Sequence, residues 1–171
     1  MAYGKLTPKM KEAIRPYVED KIIVDLGAGD LTQAKILCEL GAYTVHAVEP
    51  AAPYIDPDCI YTYDTHFRSM PAFEDATVVF ISWPLPFLDF RELEPLFERA
   101  EHIIYLGSNY DGTACGPPAM FLYLLSREIE QHIFHRTNDL IIYGRKLGYA
   151  RAPIRAELAG MDHTQIYSAA E

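Results

Sequence analysis

The stretch that decides the fold is KIIVDLGAGDLTQ, Lys21 to Gln33. Ile22, Ile23, Val24 and Leu26 make a short apolar run rich in β-branched residues, which predicts a buried strand. The run breaks into Gly27-Ala28-Gly29. Without a Cβ the two glycines allow a tight turn and let a ligand approach the backbone. Asp30 suits the cap of a following helix, and Gln33 three residues later completes a capping-box pattern. The start of that helix presents free N–H groups to an anionic part of a ligand. Strand, glycine turn and helix together predict a ligand held at the carboxyl end of a sheet.

Working outward, TPKMKEAIRPYV predicts a short amphipathic helix, with Thr7 as cap and Pro8 at its first position. LTQAKILCEL carries Leu31, Ala34, Leu37 and Cys38 at helical spacing and stops at Gly41. YTVHAVE, IYTYD, ATVVFIS and HIIYLGS read as the second to fifth strands, and FRELEPLFERA as a helix with Leu93, Leu96 and Phe97 on one face. The proline-rich run PAAPYIDPDC cannot be regular helix. PPAMFLYLLSREI predicts a helix, and HIFHRTNDLIIYGR two strands joined at Asn138-Asp139. A short helix is expected near Ile154–Leu158. Alternation of strands and helices predicts a doubly wound, mostly parallel α/β sheet, with an antiparallel C-terminal hairpin at one edge. The 171 residues suit one domain: an N-terminal helix over 1–20, a ligand-binding core over 21–145 and a tail over 146–171.

The formal net charge of −9 disfavours a nucleic-acid partner, because such binding draws on Lys and Arg. Cys38, Cys59 and Cys115 are odd in number and far apart, with no metal-ligand spacing, so neither a disulfide nor a metal site is expected. The N-terminal stretch has no signal-like apolar run, and no window approaches the ~20 apolar residues of a membrane span. A cytoplasmic, soluble chain is expected, without a membrane partner.

Two ligands suit the turn. A dinucleotide normally asks for GxGxxG, and here the third glycine position is Thr32. The other is S-adenosylmethionine: VDLGAGD resembles the first motif of the class I S-adenosylmethionine-dependent methyltransferases, an acid followed by GxG. The resemblance implies a Rossmann-like fold with S-adenosyl-L-methionine as cofactor. It places Asp25 near the methionine end and Gly27, Ala28 and Gly29 in the cofactor turn; the family often has a further glycine where Leu31 stands. Both ligands ask for an acid at the end of the second strand to take ribose hydroxyls, and Glu49 follows Gly27 by the expected ~20 residues. The family also has a polar residue near the adenine at the end of the third strand, matched by Asp64 with Thr65 beside it. The usual helix between Glu49 and Ala76 is expected to be missing.

The acceptor is expected over the ends of the fourth and fifth strands. FISWPLPF partly resembles the [D/N/S]-P-P-[Y/F] motif of methyltransferases acting on amino nitrogens, with Ser82, Trp83, Pro84 and Leu85 in its four places. Ser82 would accept a hydrogen bond from an amine, and Trp83, the only Trp, would stack on a planar group or else fill the core. The polar loop Gly107, Ser108, Asn109, Tyr110 and Asp111 sits at the same edge. Asp111 is the candidate general base there, with His66 as the other, and Asn109 is a candidate beside it. Cys115 near a helix start is a weaker nucleophile candidate. His102, His132 and His135 read as packing residues. Arg145, Lys146, Arg151 and Arg155 read as a solvated face or an anion grip. Methyl transfer to a small molecule is the first reading, a methyltransferase-like partner subunit without catalysis the second, and a small NAD(P)-binding reductase the third. The sequence does not decide the oligomeric state.

Overall fold

The computed structural model describes residues 4–49, 59–63, 73–84, 88–107, 116–135, 138–161 and 164. The first helix, α1, is Pro8–Val18, capped by Thr7, whose Oγ1 accepts from the Met10 N–H at 3.2 Å. Then come β1 (Ile22–Leu26), α2 (Thr32–Glu39), β2 (Thr44–Val48), β3 (Ile60–Tyr63) and β4 (Val78–Ser82). They are followed by α3 (Phe90–Arg99), β5 (His102–Gly107), α4 (Pro118–Leu124), β6 (Arg127–Ile133), β7 (Asp139–Lys146) and α5 (Arg155–Ala159).

The seven strands form one sheet in the order β3-β2-β1-β4-β5-β7-β6. The first five are parallel, and β7 pairs antiparallel with both β5 and β6. This is the doubly wound sheet with an antiparallel C-terminal hairpin that the alternation predicted. The parallel strands β1 and β4 lie side by side at its centre with Leu26 opposite Ile81. Both need helices on both faces, and their continuous apolar runs reflect that. Ile23, Val45, Val78, Phe80 and Ile104 pack on one face with α1 and α2; Val24, Val79, Ile81, Ile103 and Tyr105 pack on the other with α3, α4 and α5. The carboxyl ends of β1, β2, β3, β4 and β5 open on one edge. Since Gly107 of β5 pairs with Asp139 of β7, the end of β6 and the start of β7 lie on that edge too.

Two sequence expectations are corrected. The helix expected to run through Ile129 ends at Leu124, and Arg127 opens β6. The cause is Arg127 itself, 2% exposed. Its Nη1 donates to Ala100 O at 2.9 Å and Gly144 O at 2.8 Å, and its Nη2 to Phe97 O at 2.5 Å. It thereby satisfies the last carbonyls of α3, which pulls this segment into the sheet. The second correction is a disulfide between Cys38 and Cys59. Their sequence separation of 21 hides the fact that the end of α2 packs against the start of β3, which brings the two Cα atoms to 6.2 Å, within bonding reach.

The C-terminal arginines are not a single patch. Arg151 turns inward: Nη1 bonds Glu157 Oε2 at 3.0 Å, and the fully buried Glu157 also accepts from Tyr143 OH at 2.9 Å. Arg145 pairs with Glu128 and Lys146 with Glu98 on the surface. Among the described residues no helix is long and apolar enough to cross a membrane.

Candidate functional site

At the end of β1 the chain turns through Gly27 (φ 73°), Ala28 and Gly29 (φ 56°). The N–H groups of Gly27 and Ala28 both donate to Val48 O, at 3.0 and 3.1 Å, so the turn is fastened to the end of β2. A Cβ at Gly27 or Gly29 would meet nothing within 4 Å among the described residues. Glycine therefore serves the left-handed backbone here, and the described residues leave the space beside the turn open. Glu49, the residue after β2, reaches across to this turn: its Oε2 accepts from the Gly29 N–H at 3.1 Å.

Leu31, where methyltransferases often have glycine, takes a left-handed conformation (φ 68°). Its side chain is 1% exposed in the core, which offsets the strain of a non-glycine residue there. Asp30 does not occupy the cap position expected of it; it lies one residue earlier, where its Oδ1 still accepts from the Thr32 N–H at 3.0 Å at the start of α2. The capping box with Gln33 does not form. The helix cap position is Leu31, so Gln33 stands at the second helical residue, one short of the place from which it would reach back. Its Nε2 donates instead to Gly4 O at 2.8 Å.

Asp25 lies in β1 immediately before the turn and is fully buried. Both its carboxylate oxygens, and Oε1 of the buried Gln33, have no hydrogen-bond partner among the described residues. Burial, with a contribution from the charge of Glu49, pushes the Asp25 carboxyl up to about 7. Orphaned buried acceptors beside an open glycine turn need a donor from elsewhere.

On the neighbouring strand, Ser82 ends β4 half-buried, and the Trp83 N–H donates to Leu106 O at 2.8 Å. Trp83 has a positive φ of 48°. Its Nε1 donates to Asn138 Oδ1 at 3.0 Å, and Asn138 Nδ2 donates to Lys5 O at 3.2 Å. The N-terminal segment thus crosses the same edge, close enough that a Cβ on Gly4 would lie 2.3 Å from Trp83 Nε1. Beyond it, Asp139, fully buried, bonds His132 Nε2 at 2.6 Å.

The structure therefore brings Asp25, Gly27, Ala28, Gly29 and Glu49 into one group at the ends of β1 and β2. Ser82 and Trp83 lie at the same edge, on the strand paired with β1. Asp64, Thr65, His66, Leu85, Ser108, Asn109, Tyr110, Asp111 and Cys115 lie outside the described residues, as does most of the segment between Glu49 and Ala76. Gln33, Asn138 and the His132–Asp139 pair also stand at this edge. Reading the sequence took the first for a cap, the second for a turn residue and His132 for packing. Only the unusual density of polar residues at the Asn138-Asp139 turn pointed further.

No protein-family model matches the sequence, and no curated protein does. Solved structures do match. The ribosomal protein L11 methylase of Lactobacillus delbrueckii subsp. bulgaricus superposes over 85% of this chain and 82% of its own, with 17% identity and a TM-score of 0.56. An RNA methyltransferase of Salinibacter ruber, solved with S-adenosyl-L-homocysteine, covers 85% of this chain and 95% of its own, at 12% identity and TM-score 0.55. The fold is that of the class I methyltransferases. A putative hemolysin of Streptococcus thermophilus shares it over 99% of this chain and 76% of its own, at 13% identity and TM-score 0.56. The same fold thus carries proteins described as methyltransferases and as a hemolysin, so activity has to be argued from the site.

Proposed function

We propose that the chain binds S-adenosylmethionine at the Gly27–Gly29 turn and transfers its methyl group to a small-molecule acceptor. The observation that carries this reading is Glu49, whose carboxylate leans from the end of β2 onto the glycine turn. From there it can accept hydrogen bonds from ribose hydroxyls, and the described residues leave space for the ligand beside Gly27 and Gly29. The orphaned acceptors Asp25 and Gln33 Oε1 fit a ligand that brings N–H donors, as the cofactor's aminoacyl end does. A dinucleotide suits the site less well: Thr32 opens α2 where the third glycine of that fingerprint would stand.

The bound cofactor supplies a methyl group already activated on a sulfonium. The protein's part is then alignment of the acceptor and acceptance of any proton it loses. Ser82, at the end of the strand paired with β1, is placed to accept a hydrogen bond from an acceptor N–H or O–H, and Trp83 beside it to wall the acceptor's approach. Asp111 is the proposed proton acceptor, with His66 as the alternative, and Asn109 stands two residues before Asp111 in the sequence. The net charge of −9 supports an acceptor other than a phosphate backbone. A cytoplasmic setting is part of the same proposal. The attachment of the Trp83 indole to Asn138 also suits a second reading, a methyltransferase-like partner subunit that keeps cofactor binding without its own catalysis.

Calorimetric titration with S-adenosylhomocysteine, and with NADH as comparison, tests the cofactor. Glu49→Ala removes charge-assisted hydrogen bonds of about 1.5–3 kcal/mol and is expected to weaken S-adenosylhomocysteine about tenfold or more. An unchanged dissociation constant in a folded variant places the ligand elsewhere; binding of NADH alone turns the reading to the reductase.

A further inference from the structure

We propose that Asn138 is a positioning residue for the acceptor side of the site: it fixes the Trp83 indole and the N-terminal segment as one clasp, whose other end is Gln33 at the cofactor turn. The proposal rests on the reading of the carboxyl edge as a cofactor and acceptor site. Asn138 is 8% exposed, so its carboxamide must be satisfied within the protein. Both ends are used. Oδ1 accepts from Trp83 Nε1 and Nδ2 donates to Lys5 O. One side chain at the start of β7 thereby joins the end of β4 to the beginning of the chain, at sequence separations of 55 and 133.

Trp83 needs such a partner. A bulky residue at φ 48° persists only where its surroundings over-determine it, and such residues cluster at functional sites. The bond from Asn138 sets the edge of the indole, and the Gly4 backbone closes against the same edge, in space that any side chain at position 4 would occupy. Gly4 O in turn accepts from Gln33 Nε2. Gln33 lies in the first turn of α2, the helix that follows the Gly27–Gly29 turn, and its Oε1 has no partner among the described residues. A ligand donor taken by Gln33 Oε1 would therefore be felt at Trp83 through a single intervening residue, Gly4. This gives the site a physical route by which occupancy of the cofactor turn sets the acceptor wall.

Trp83 is the only tryptophan, so its emission reports this place alone. The experiment compares wild type, Asn138→Ala and Asn138→Asp, first without ligand and then titrated with S-adenosylhomocysteine by fluorescence and by calorimetry. Asn138→Asp keeps an acceptor for Trp83 Nε1 and loses the donor to Lys5. Without ligand, Asn138→Ala is expected to emit to the red of wild type and to be quenched more readily by acrylamide, while Asn138→Asp emits like wild type. With ligand, the emission change of wild type is expected to be lost in Asn138→Ala. The calorimetric dissociation constant stays within about twofold, as for a residue that does not itself touch the ligand. Wild-type emission and wild-type ligand response in Asn138→Ala overturn the proposal. So does a wild type whose emission ignores a ligand that calorimetry shows to bind. If no ligand binds to wild type, the cofactor reading fails, and the ligand-free spectra still decide whether Asn138 positions Trp83. Should Asn138→Ala fail to fold, Asn138→Ser, too short to reach both partners, is read in the same way.

Discussion

Asn in place of Asp25 gives a sharp test of the geometry at the end of β1. The carboxyl is fully buried, neither oxygen has a donor among the described residues, and the charge of Glu49 lies close. Its pKa rises from an ordinary 3.8 to about 7 in the folded chain. A raised acid pKa means that the folded protein keeps a proton that the unfolded chain has already released. Stability therefore falls as pH rises from about 4 to about 7 and levels off above. Roughly three pKa units at about 1.36 kcal/mol each make a loss of about 4 kcal/mol across that window. Asp25→Asn is nearly isosteric and cannot titrate, so the wild-type minus variant difference in unfolding free energy isolates this group. Urea unfolding at intervals from pH 4 to pH 8 is expected to give a difference that moves against wild type by about that amount, then stays flat. S-adenosylhomocysteine adds a second readout. An ammonium group brought beside the carboxyl lowers its pKa, so binding near pH 7 should release protons in wild type and none from this position in the variant. Calorimetry in two buffers of different ionisation enthalpy measures that release. A difference curve with no slope between pH 4 and pH 7 refutes the burial argument, whatever the ligand does.

Reduction of the Cys38–Cys59 bond opens a ring closed across a sequence separation of 21, and chain entropy alone then sets a loss of about 3 kcal/mol. Urea unfolding with and without reductant, checked by mass after alkylation, measures it; equal midpoints would show that the bond is not formed or does not constrain the unfolded chain. Leu31→Gly opposes two effects, relief of about 1–2 kcal/mol from the left-handed backbone and loss of a buried leucine worth about 2–5 kcal/mol. Because Leu31 is 1% exposed, burial should win, and the variant should unfold more easily by about 1–3 kcal/mol; a more stable variant would mean that the strain is larger than the packing.

Much of this fold was legible because its signals are local. The run Ile22–Leu26 has to be a buried strand, and the two glycines after it have to be a turn. Each later apolar run repeats the alternation that only a parallel sheet with helices on both faces accommodates. The end of α4 was not legible for the opposite reason. LLSREI continues a helical pattern, and nothing local says that Arg127 will be drawn to carbonyls at Phe97, Ala100 and Gly144. The disulfide escaped similarly. Spacing in sequence carries no information on whether the last turn of one helix meets the residue just before a strand two elements later.

The same division runs through the site. Gly27, Gly29 and Glu49 are readable because a βα turn and the next strand end fall at a fixed separation, so the chain itself measures the distance between them. Gln33 and Asn138 are not readable, because what they do depends on Gly4, Lys5 and Trp83 arriving from elsewhere. A capping box and a hairpin turn were the right local expectations for those residue types. They failed at Gln33 through a shift of one residue in where α2 begins, and at Asn138 because the amide is buried and not spent on its own turn. Local rules give way where a side chain satisfies a distant backbone. In this molecule that happens along the line from the Gly27–Gly29 turn to Trp83, where Gln33 and Asn138 each commit their amides to backbone or side chains far away in sequence.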